Sequence, residues 1–168
     1  MGRVFAEFEI GQRFVTPGRT ITESDIAAFA GLTGDYNPVH TDEEFARATA
    51  FGGRIAHGPM GIGMAFGLAA RLDLIDGTVV ALLGVNWDFR APTRAGDTIH
   101  AAFDVVEMRP VKNPDHGLVE FAITLLNQRE SIVQSGSARL LLRRSRPASA
   151  AWGLISTPAA ATKRAHEG

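Results

Sequence analysis

The chain has 168 residues, of which 45% are hydrophobic and 21% charged, and its formal net charge is −1. This composition is typical of one globular domain with a substantial core, and the near-neutral charge disfavours nucleic acid as a partner. The chain contains no cysteine, which excludes disulfides, thiolate nucleophiles and cysteine-based metal sites.

The sequence predicts a protein without a membrane segment. No apolar run reaches the roughly 18 residues that a membrane helix needs. Glu7 and Glu9 fall where a signal peptide would have its apolar core. A cytoplasmic location is therefore the expectation.

The segment ITESDIAAFAGLTG, residues 21–34, predicts the first helix, because its apolar residues recur at helical spacing. Thr22 or Ser24 can cap its amino end, since a hydroxyl accepts a hydrogen bond from a free backbone amide. Gly31 and Gly34 are expected to end it.

Two shorter features flank this helix. Residues 3–17 predict one or two short strands that end in a Pro-Gly turn. The segment HTDEEFARATAFGG, residues 40–53, predicts a short second helix, because Thr41 and Glu44 have the spacing of a capping box.

The segment HGPMGIGMAFGLAARLDLI, residues 57–75, is apolar on nearly all sides and predicts a buried central helix. Pro59 suits its first turn, where a missing N–H is no loss. Gly61, Gly63 and Gly67 each cost about 1 kcal/mol relative to alanine. That cost indicates that another element approaches this helix closely.

Four long extended segments follow: TVVALLGVNWDFR (78–90), GDTIHAAFDVVEM (96–108), GLVEFAITLLNQ (117–128) and SIVQSGSARLLLRR (131–144). Partial alternation of apolar and polar residues predicts strands in the last three. The expected fold is a single α+β domain over residues 1–146, with a strongly bent antiparallel sheet around the central buried helix. The alanine- and proline-rich residues 147–168 are expected to form a loosely ordered tail.

Three groups that can carry chemistry lie within six residues of one another, Asp35, Asn37 and His40. Pro38 restricts the backbone between them. A carboxylate and an imidazole held in this way can share one water molecule and act as an acid/base pair. The alternative is structural, since Asp and Asn form turns and a histidine can cap a helix. One acid and one histidine are a thin ligand set, so no metal site is expected.

The start of the central helix offers a second candidate group. Unpaired amides at a helix start carry partial positive charge, and the Gly58 N–H can stabilise an oxyanion there. The alternative is that Gly58 only begins the helix. His57 can orient this position, cap the helix or pack.

The segment FAGLTGDYNPVHTDEEFA, residues 29–46, resembles the signature of the MaoC-like, or R-specific enoyl-CoA hydratase, family, whose fold is the hot-dog. RIAHGPMGIGMAFGL resembles the start of the family's central helix. LLGVNWDFRAPTRAGDTI resembles its first long strand, and LLNQRESIVQSGSARLLL its last hairpin. The resemblance covers about residues 8–144.

This resemblance implies hydration of a trans-2-enoyl-CoA to the (R)-3-hydroxyacyl-CoA, or the reverse dehydration. Asp35 and His40 match the catalytic pair that holds the water, and Asn37 matches a residue that supports them. Gly58 matches the backbone donor to the thioester carbonyl. The family requires no cofactor or metal, and it implies a homodimer formed through sheet edges.

The residues expected to contact the substrate are Pro59, Met60, Met64, Phe66, Arg90 and Arg94. The acyl chain would run along the central helix, and the arginines would meet the CoA phosphates, because arginine suits bidentate phosphate contacts. The alternatives are core packing for the helix residues and structural turn contacts for the arginines. Pro59 stands where many relatives have methionine or another apolar residue.

Two other functions compete with this interpretation. One is a hot-dog acyl-CoA thioesterase, and the other is a non-catalytic acyl-thioester-binding subunit. The spacing of Asp35 and His40 disfavours the first. The second has little use for an acid/base pair.

Overall fold

The computed structural model of the chain describes residues 1–146. After a 3-10 turn, Phe5–Glu7, its helices are α1 Glu23–Thr33, α2 Pro38–Thr41, α3 Glu43–Arg47 and α4 Gly58–Ala70. Its strands are β1 Arg13–Val15, β2 Arg19–Thr20, β3 Val79–Phe89, β4 Thr98–Pro110, β5 His116–Asn127 and β6 Ile132–Arg143. The tail predicted at residues 147–168 lies outside the described part.

All six strands belong to one antiparallel sheet with the order β1-β4-β5-β6-β3, and β2 pairs with β4 beyond the end of β1. The central pairings are long, with Phe103 opposite Ile123 and Ile123 opposite Gly136. The register shifts between Val105 and Glu107, and such irregularities bend a strand. The predicted α+β arrangement with four long strands is confirmed.

The core lies between α4 and one face of the sheet. On β4 the residues Ile99, Ala101, Phe103 and Val105 are all buried, so the predicted alternation points one face inward. From α4 the buried members of the same cluster are Met60, Met64, Ala65 and Ala69. This packing fixes the position of the amino end of α4 relative to the sheet.

Of the three glycines predicted to allow a close approach, Gly61, Gly63 and Gly67, only Gly61 has one. A Cβ at Gly61 would lie 2.4–2.7 Å from the side-chain amide of Gln134. A Cβ added at Gly63 or Gly67, both exposed, would meet no atom of residues 1–146 within 4 Å apart from the helix's own backbone and the adjacent residues. The prediction was therefore right for Gly61 and wrong for the other two, because α4 buries one side and leaves the other open. No helix in residues 1–146, α4 included, is long and apolar enough to cross a membrane.

Helix α1 begins with a capping box. The Thr22 hydroxyl accepts a hydrogen bond from the Asp25 amide at 3.1 Å, and the Asp25 carboxylate accepts one from the Thr22 amide at 2.9 Å. Gly34 ends the helix with a positive φ of 76°. Gly31 lies inside the helix, so the prediction that it also ends α1 was wrong. Of the two predicted candidates, Thr22 and Ser24, Thr22 is the residue that caps α1.

Helix α3 uses a different cap from the predicted one. The Asp42 carboxylate accepts a hydrogen bond from the Phe45 amide at 3.0 Å. Thr41 belongs to α2, and its hydroxyl donates back to the carbonyl of Tyr36. The predicted capping box of Thr41 and Glu44 was wrong, because the chain turns once more before α3 begins.

We expect Thr22→Ala to lower the free energy of unfolding by about 1 kcal/mol, because the Asp25 amide at the start of α1 loses its hydrogen-bond acceptor. Burial raises the pKa of Asp25, but hydrogen bonds from Thr22 and the charge of Arg19 outweigh it and hold that pKa below its usual value. Stability from Asp25 is therefore present above its unfolded pKa and is lost as pH falls through the lower folded value. Urea unfolding at pH 7 and in this acidic range measures both effects.

Ser24→Ala is the matched control for the Thr22 prediction, since it removes a neighbouring hydroxyl that makes no cap. It should leave the free energy of unfolding within about 0.5 kcal/mol of wild type. Equal effects of the two substitutions would contradict the assignment of Thr22 as the cap.

Candidate active site

Asp35, Asn37 and His40 follow α1 directly, in a segment ordered by its own side chains. The Asp35 carboxylate accepts a hydrogen bond from the Asn37 amide at 3.2 Å, and the Asn37 side chain accepts one from the Val39 amide at 3.3 Å. Pro38 occupies the first position of α2, so His40 lies in a helical turn. The turn places the imidazole with little backbone freedom.

The imidazole of His40 has a defined tautomer. Its Nδ1 lies 2.8 Å from the carbonyl oxygen of Ile55. A carbonyl can only accept, so Nδ1 carries the hydrogen and Nε2 presents a lone pair. Nε2 is therefore the nitrogen that can take a proton from water.

His57 joins the candidate pair to the start of α4. Its Nε2 donates to the backbone carbonyl of Asp35 at 2.9 Å. Its ring, only 1% exposed, stacks on His40 with a centroid distance of 3.8 Å and lies 5.1 Å from the ring of Phe29. The side chain makes no cap hydrogen bond. Of the roles considered for His57, the structure shows packing, and it adds a role that was not considered, support of the Asp35 segment.

One oxygen or nitrogen atom from each of Asp35, His40 and His57 lies within 4.8 Å of the others, which raises the question of a metal site. The two imidazole rings are stacked with only 28° between their planes. The nitrogen lone pairs lie in the ring planes, so those of two stacked rings are nearly parallel. They cannot both point at one ion at about 2.0–2.1 Å. The arrangement suits proton transfer better than metal binding.

A cleft of about 310 Å³ opens beside His40. It is lined by His40, Phe51, Ile55, Ala56, Gly58, Phe89, Arg90, Ala91, Pro92, Thr93 and Gln134. A mostly apolar wall with a few convergent polar groups is typical of a small-molecule site. The cleft brings the predicted base and the predicted oxyanion donor together.

Gly58 meets the structural requirements of the predicted role. It is the first residue of α4, and among residues 1–146 its N–H has no acceptor. A Cβ at this position would come within 2.8 Å of the Phe89 ring, so a larger residue would force a shift. The free amide and the helix start both favour negative charge here.

The two predicted phosphate-binding arginines have different surroundings. Arg90 lines the cleft, and its exposed guanidinium pairs with Asp88 at 2.8 Å. Arg94 donates to the backbone carbonyls of Phe51 and Arg54. The alternative of structural turn contacts therefore describes Arg94. Arg90 lines the cleft, and its guanidinium bonds to Asp88 and Ser135.

The α4 residues expected to contact the acyl chain do not line the cleft beside His40. Met60 and Met64 are buried in the core and border a groove next to α1. Phe66 packs half-buried against the core, and Pro59 is exposed. The structure of one chain thus supports the core alternative for Met60, Met64 and Phe66.

Gln134 is a cleft residue that the sequence did not single out. It lies on β6 and is 2% exposed. The available signal was a polar side chain directly after the apolar pair Ile132 and Val133, but such residues usually face solvent. Its partners, Gly58 and Trp87, are distant in sequence, so the contacts produce no recognisable spacing in the sequence around Gln134.

A sequence model of the family described as MaoC like domain matches residues 5–125. The chain belongs to the MaoC-like family. The chain is 37% identical over 107 residues to the 3-hydroxybutyryl-CoA dehydratase of Methylorubrum extorquens, covering 63% of this chain and 66%, just under two thirds, of that protein. It is 38% identical over 108 residues to the (R)-specific enoyl-CoA hydratase of Rhodospirillum rubrum, covering 64% and 73% of the two chains.

Solved structures place the MaoC-like chain in the hot-dog fold. The MaoC-like dehydratase from Rhodospirillum rubrum superposes with a TM-score of 0.78 at 32% identity, covering 87% of this chain and all of that one (100%). A Mycobacterium tuberculosis protein with a double hot-dog fold superposes with a TM-score of 0.77 at 23% identity, covering 95% and 52%. The predicted family and fold are both confirmed.

Proposed function

We propose that the protein adds water to a trans-2-enoyl-CoA to form the (R)-3-hydroxyacyl-CoA, or catalyses the reverse dehydration. The observation that carries the proposal is one cleft lined by the imidazole of His40, whose Nδ1 faces the Ile55 carbonyl, and by a free helix-start amide, Gly58. The Asp35 carboxylate lies beside that imidazole. The activities named for the bacterial relatives support the same reaction class.

The chemistry follows from the placement of these groups. A water molecule held between Asp35 and His40 attacks C3 of the enoyl group, and the pair takes its proton. The electrons of the C2–C3 double bond move toward the thioester oxygen, and the Gly58 amide together with the start of α4 stabilises the enolate charge. Return of the proton from the pair to C2 completes the addition. No cofactor enters the reaction.

The test is loss of enoyl-thioester absorbance with purified protein across a panel of trans-2-enoyl-CoAs of different chain length, branching and terminal charge. Turnover of at least one substrate, with the (R)-3-hydroxyacyl-CoA as product, supports the proposal. Saturated acyl-CoAs are the control, since free thiol released from them indicates a thioesterase instead. Binding of acyl-CoA without either reaction would indicate a non-catalytic subunit. The cytoplasmic location expected from the sequence is part of the same proposal.

We further propose that two copies pair through β3. This strand lies at the end of the sheet order, so one side of its backbone has no neighbouring strand within residues 1–146. Its apolar side chains are 41–51% exposed at Val80, Leu82, Leu83 and Val85. An apolar edge of this length promotes pairing with another chain unless it is covered. A second copy of β3 would cover it.

Leu82→Glu is expected to shift the protein from dimer to monomer. Symmetric pairing of two β3 strands would place two carboxylates, one from each copy, in the apolar interface, where they repel each other. Sedimentation velocity measures the change. Val106→Glu is the matched control, since Val106 is 48% exposed but lies on β4, which has neighbours on both sides. A wild-type monomer, or a dimer that survives Leu82→Glu, would contradict pairing through β3.

A further inference from the structure

The side-chain amide of Gln134 connects the sheet to the first turn of α4. Its Nε2 donates to the carbonyl oxygen of Gly58 at 3.1 Å, and its Oε1 accepts from the indole N–H of Trp87 at 2.9 Å. A carbonyl can only accept and an indole N–H can only donate. The two contacts therefore determine the orientation of the amide without ambiguity.

The surroundings of Gln134 are built to accommodate this amide. The absence of a side chain at Gly61 provides its space, because a Cβ there would lie 2.4–2.7 Å from the amide atoms. The side chain is 2% exposed, yet both of its polar atoms are paired. A buried amide with both atoms satisfied holds its partners rigidly, since breaking either bond leaves an unpaired polar group.

The backbone at Gly58 needs such a constraint. Glycine has wide torsional freedom, and the proline that follows disfavours the helical region for the residue before it. The hydrogen bond from Gln134 to the Gly58 carbonyl limits rotation about the glycine and pins the helix start to β6. The direction of the Gly58 N–H depends on the same torsions.

We propose that Gln134 is a positioning residue for the oxyanion donor. Through the Gly58 carbonyl it aims the Gly58 N–H at the thioester oxygen, and Trp87 holds the amide in the required orientation. The inference rests on the proposed hydratase function, since the oxyanion belongs to that reaction. Misplacement of a catalytic group by about 1 Å costs on the order of 100-fold in rate.

The test replaces Gln134 by methionine, which keeps an unbranched chain of similar length and removes both hydrogen bonds. Gln134→Met should lower kcat for enoyl-CoA hydration by about 10- to 100-fold. KM should stay within about threefold and the pH profile of kcat should keep its shape, because Asp35 and His40 are untouched. Trp87→Phe, which removes the indole N–H and leaves a smaller aromatic ring, should give a smaller loss of the same kind.

A spectroscopic signal separates positioning from folding. Butanoyl-CoA labelled with ¹³C at the carbonyl is saturated and is not hydrated, so its infrared carbonyl band reports hydrogen bonding to the bound thioester. The band should shift to lower frequency on wild-type protein and return toward the solution value on Gln134→Met. Gln128→Met is the control, because Gln128 is an exposed glutamine outside the cleft.

Unchanged kcat and carbonyl band in Gln134→Met, with only a lower unfolding temperature, would overturn the proposal and leave Gln134 a purely structural tie. If that variant does not fold, Trp87→Phe decides by the same two readouts. If wild-type protein hydrates no enoyl-CoA, the proposed function fails, and the carbonyl band of bound butanoyl-CoA still tests whether Gln134 positions the amide.

Discussion

Asp35→Asn and His40→Gln are each expected to lower kcat for enoyl-CoA hydration by about 10²- to 10⁴-fold, the usual contribution of a positioned acid/base group. The Asn37 amide can still donate its hydrogen to the side-chain oxygen of an asparagine at position 35, so the first change removes a proton acceptor with little effect on the backbone. Glutamine at position 40 cannot accept a proton at neutral pH. Steady-state kinetics with the best enoyl-CoA of the panel measure both effects.

The control for this pair is Asp42→Asn. Asp42 caps α3, and asparagine caps a helix about as well, so kcat should stay within about twofold of wild type. Circular dichroism of all three variants checks that the fold is intact. If Asp35→Asn and His40→Gln both kept activity close to wild type, the proposed water-activating pair would be contradicted. The cleft would then have to serve another reaction.

His57 is expected to be the next most sensitive position, with a loss of kcat of about 10- to 100-fold in His57→Leu. This change removes the donor to the Asp35 carbonyl and the ring that stacks on His40. Leaving that carbonyl without its partner should also lower the free energy of unfolding by about 1–3 kcal/mol. Kinetics and urea unfolding measure the two effects on the same preparations.

Two further variants separate the contributions of His57. His57→Phe keeps an aromatic ring against His40 and loses the donor to the Asp35 carbonyl, whereas His57→Gln keeps an N–H donor and loses the ring. A larger loss in His57→Phe identifies the hydrogen bond as the main support, and a larger loss in His57→Gln identifies the stacking. Wild-type kcat in both variants would contradict a role of His57 in ordering the site.

Much of the secondary structure could be predicted because it depends on neighbouring residues. Alternation along residues 96–108 predicts β4, and the cap of α1 uses Thr22 and Asp25, which are three residues apart. The errors arose where two local signals compete. Gly31 and Gly34 were both expected to end α1, and Thr41, not the adjacent Asp42, was expected to cap the next helix. The turn geometry, which the sequence does not display, decides between them.

The candidate catalytic residues were also recognisable because they lie close together in the sequence. Asp35, Asn37 and His40 lie within six residues, so their spacing alone suggested an acid/base site and carried the resemblance to the family. The assignment of substrate contacts to Met60 and Arg94 required knowledge of what each side chain faces. In the structure Met60 packs in the core, and Arg94 donates hydrogen bonds to backbone carbonyls.

The sequence by itself indicated the fold class through its periodicity, and the resemblance of residues 29–46 to a family signature indicated the family and the residues of the proposed water-activating pair. Only the tertiary structure decided that His57 supports Asp35 across 22 residues and that Gln134 reaches Gly58 across 76. Contacts between distant elements arise from packing of α4 on the sheet, and packing imposes no regular spacing along the chain. The support of the site therefore becomes visible only once the chain is folded.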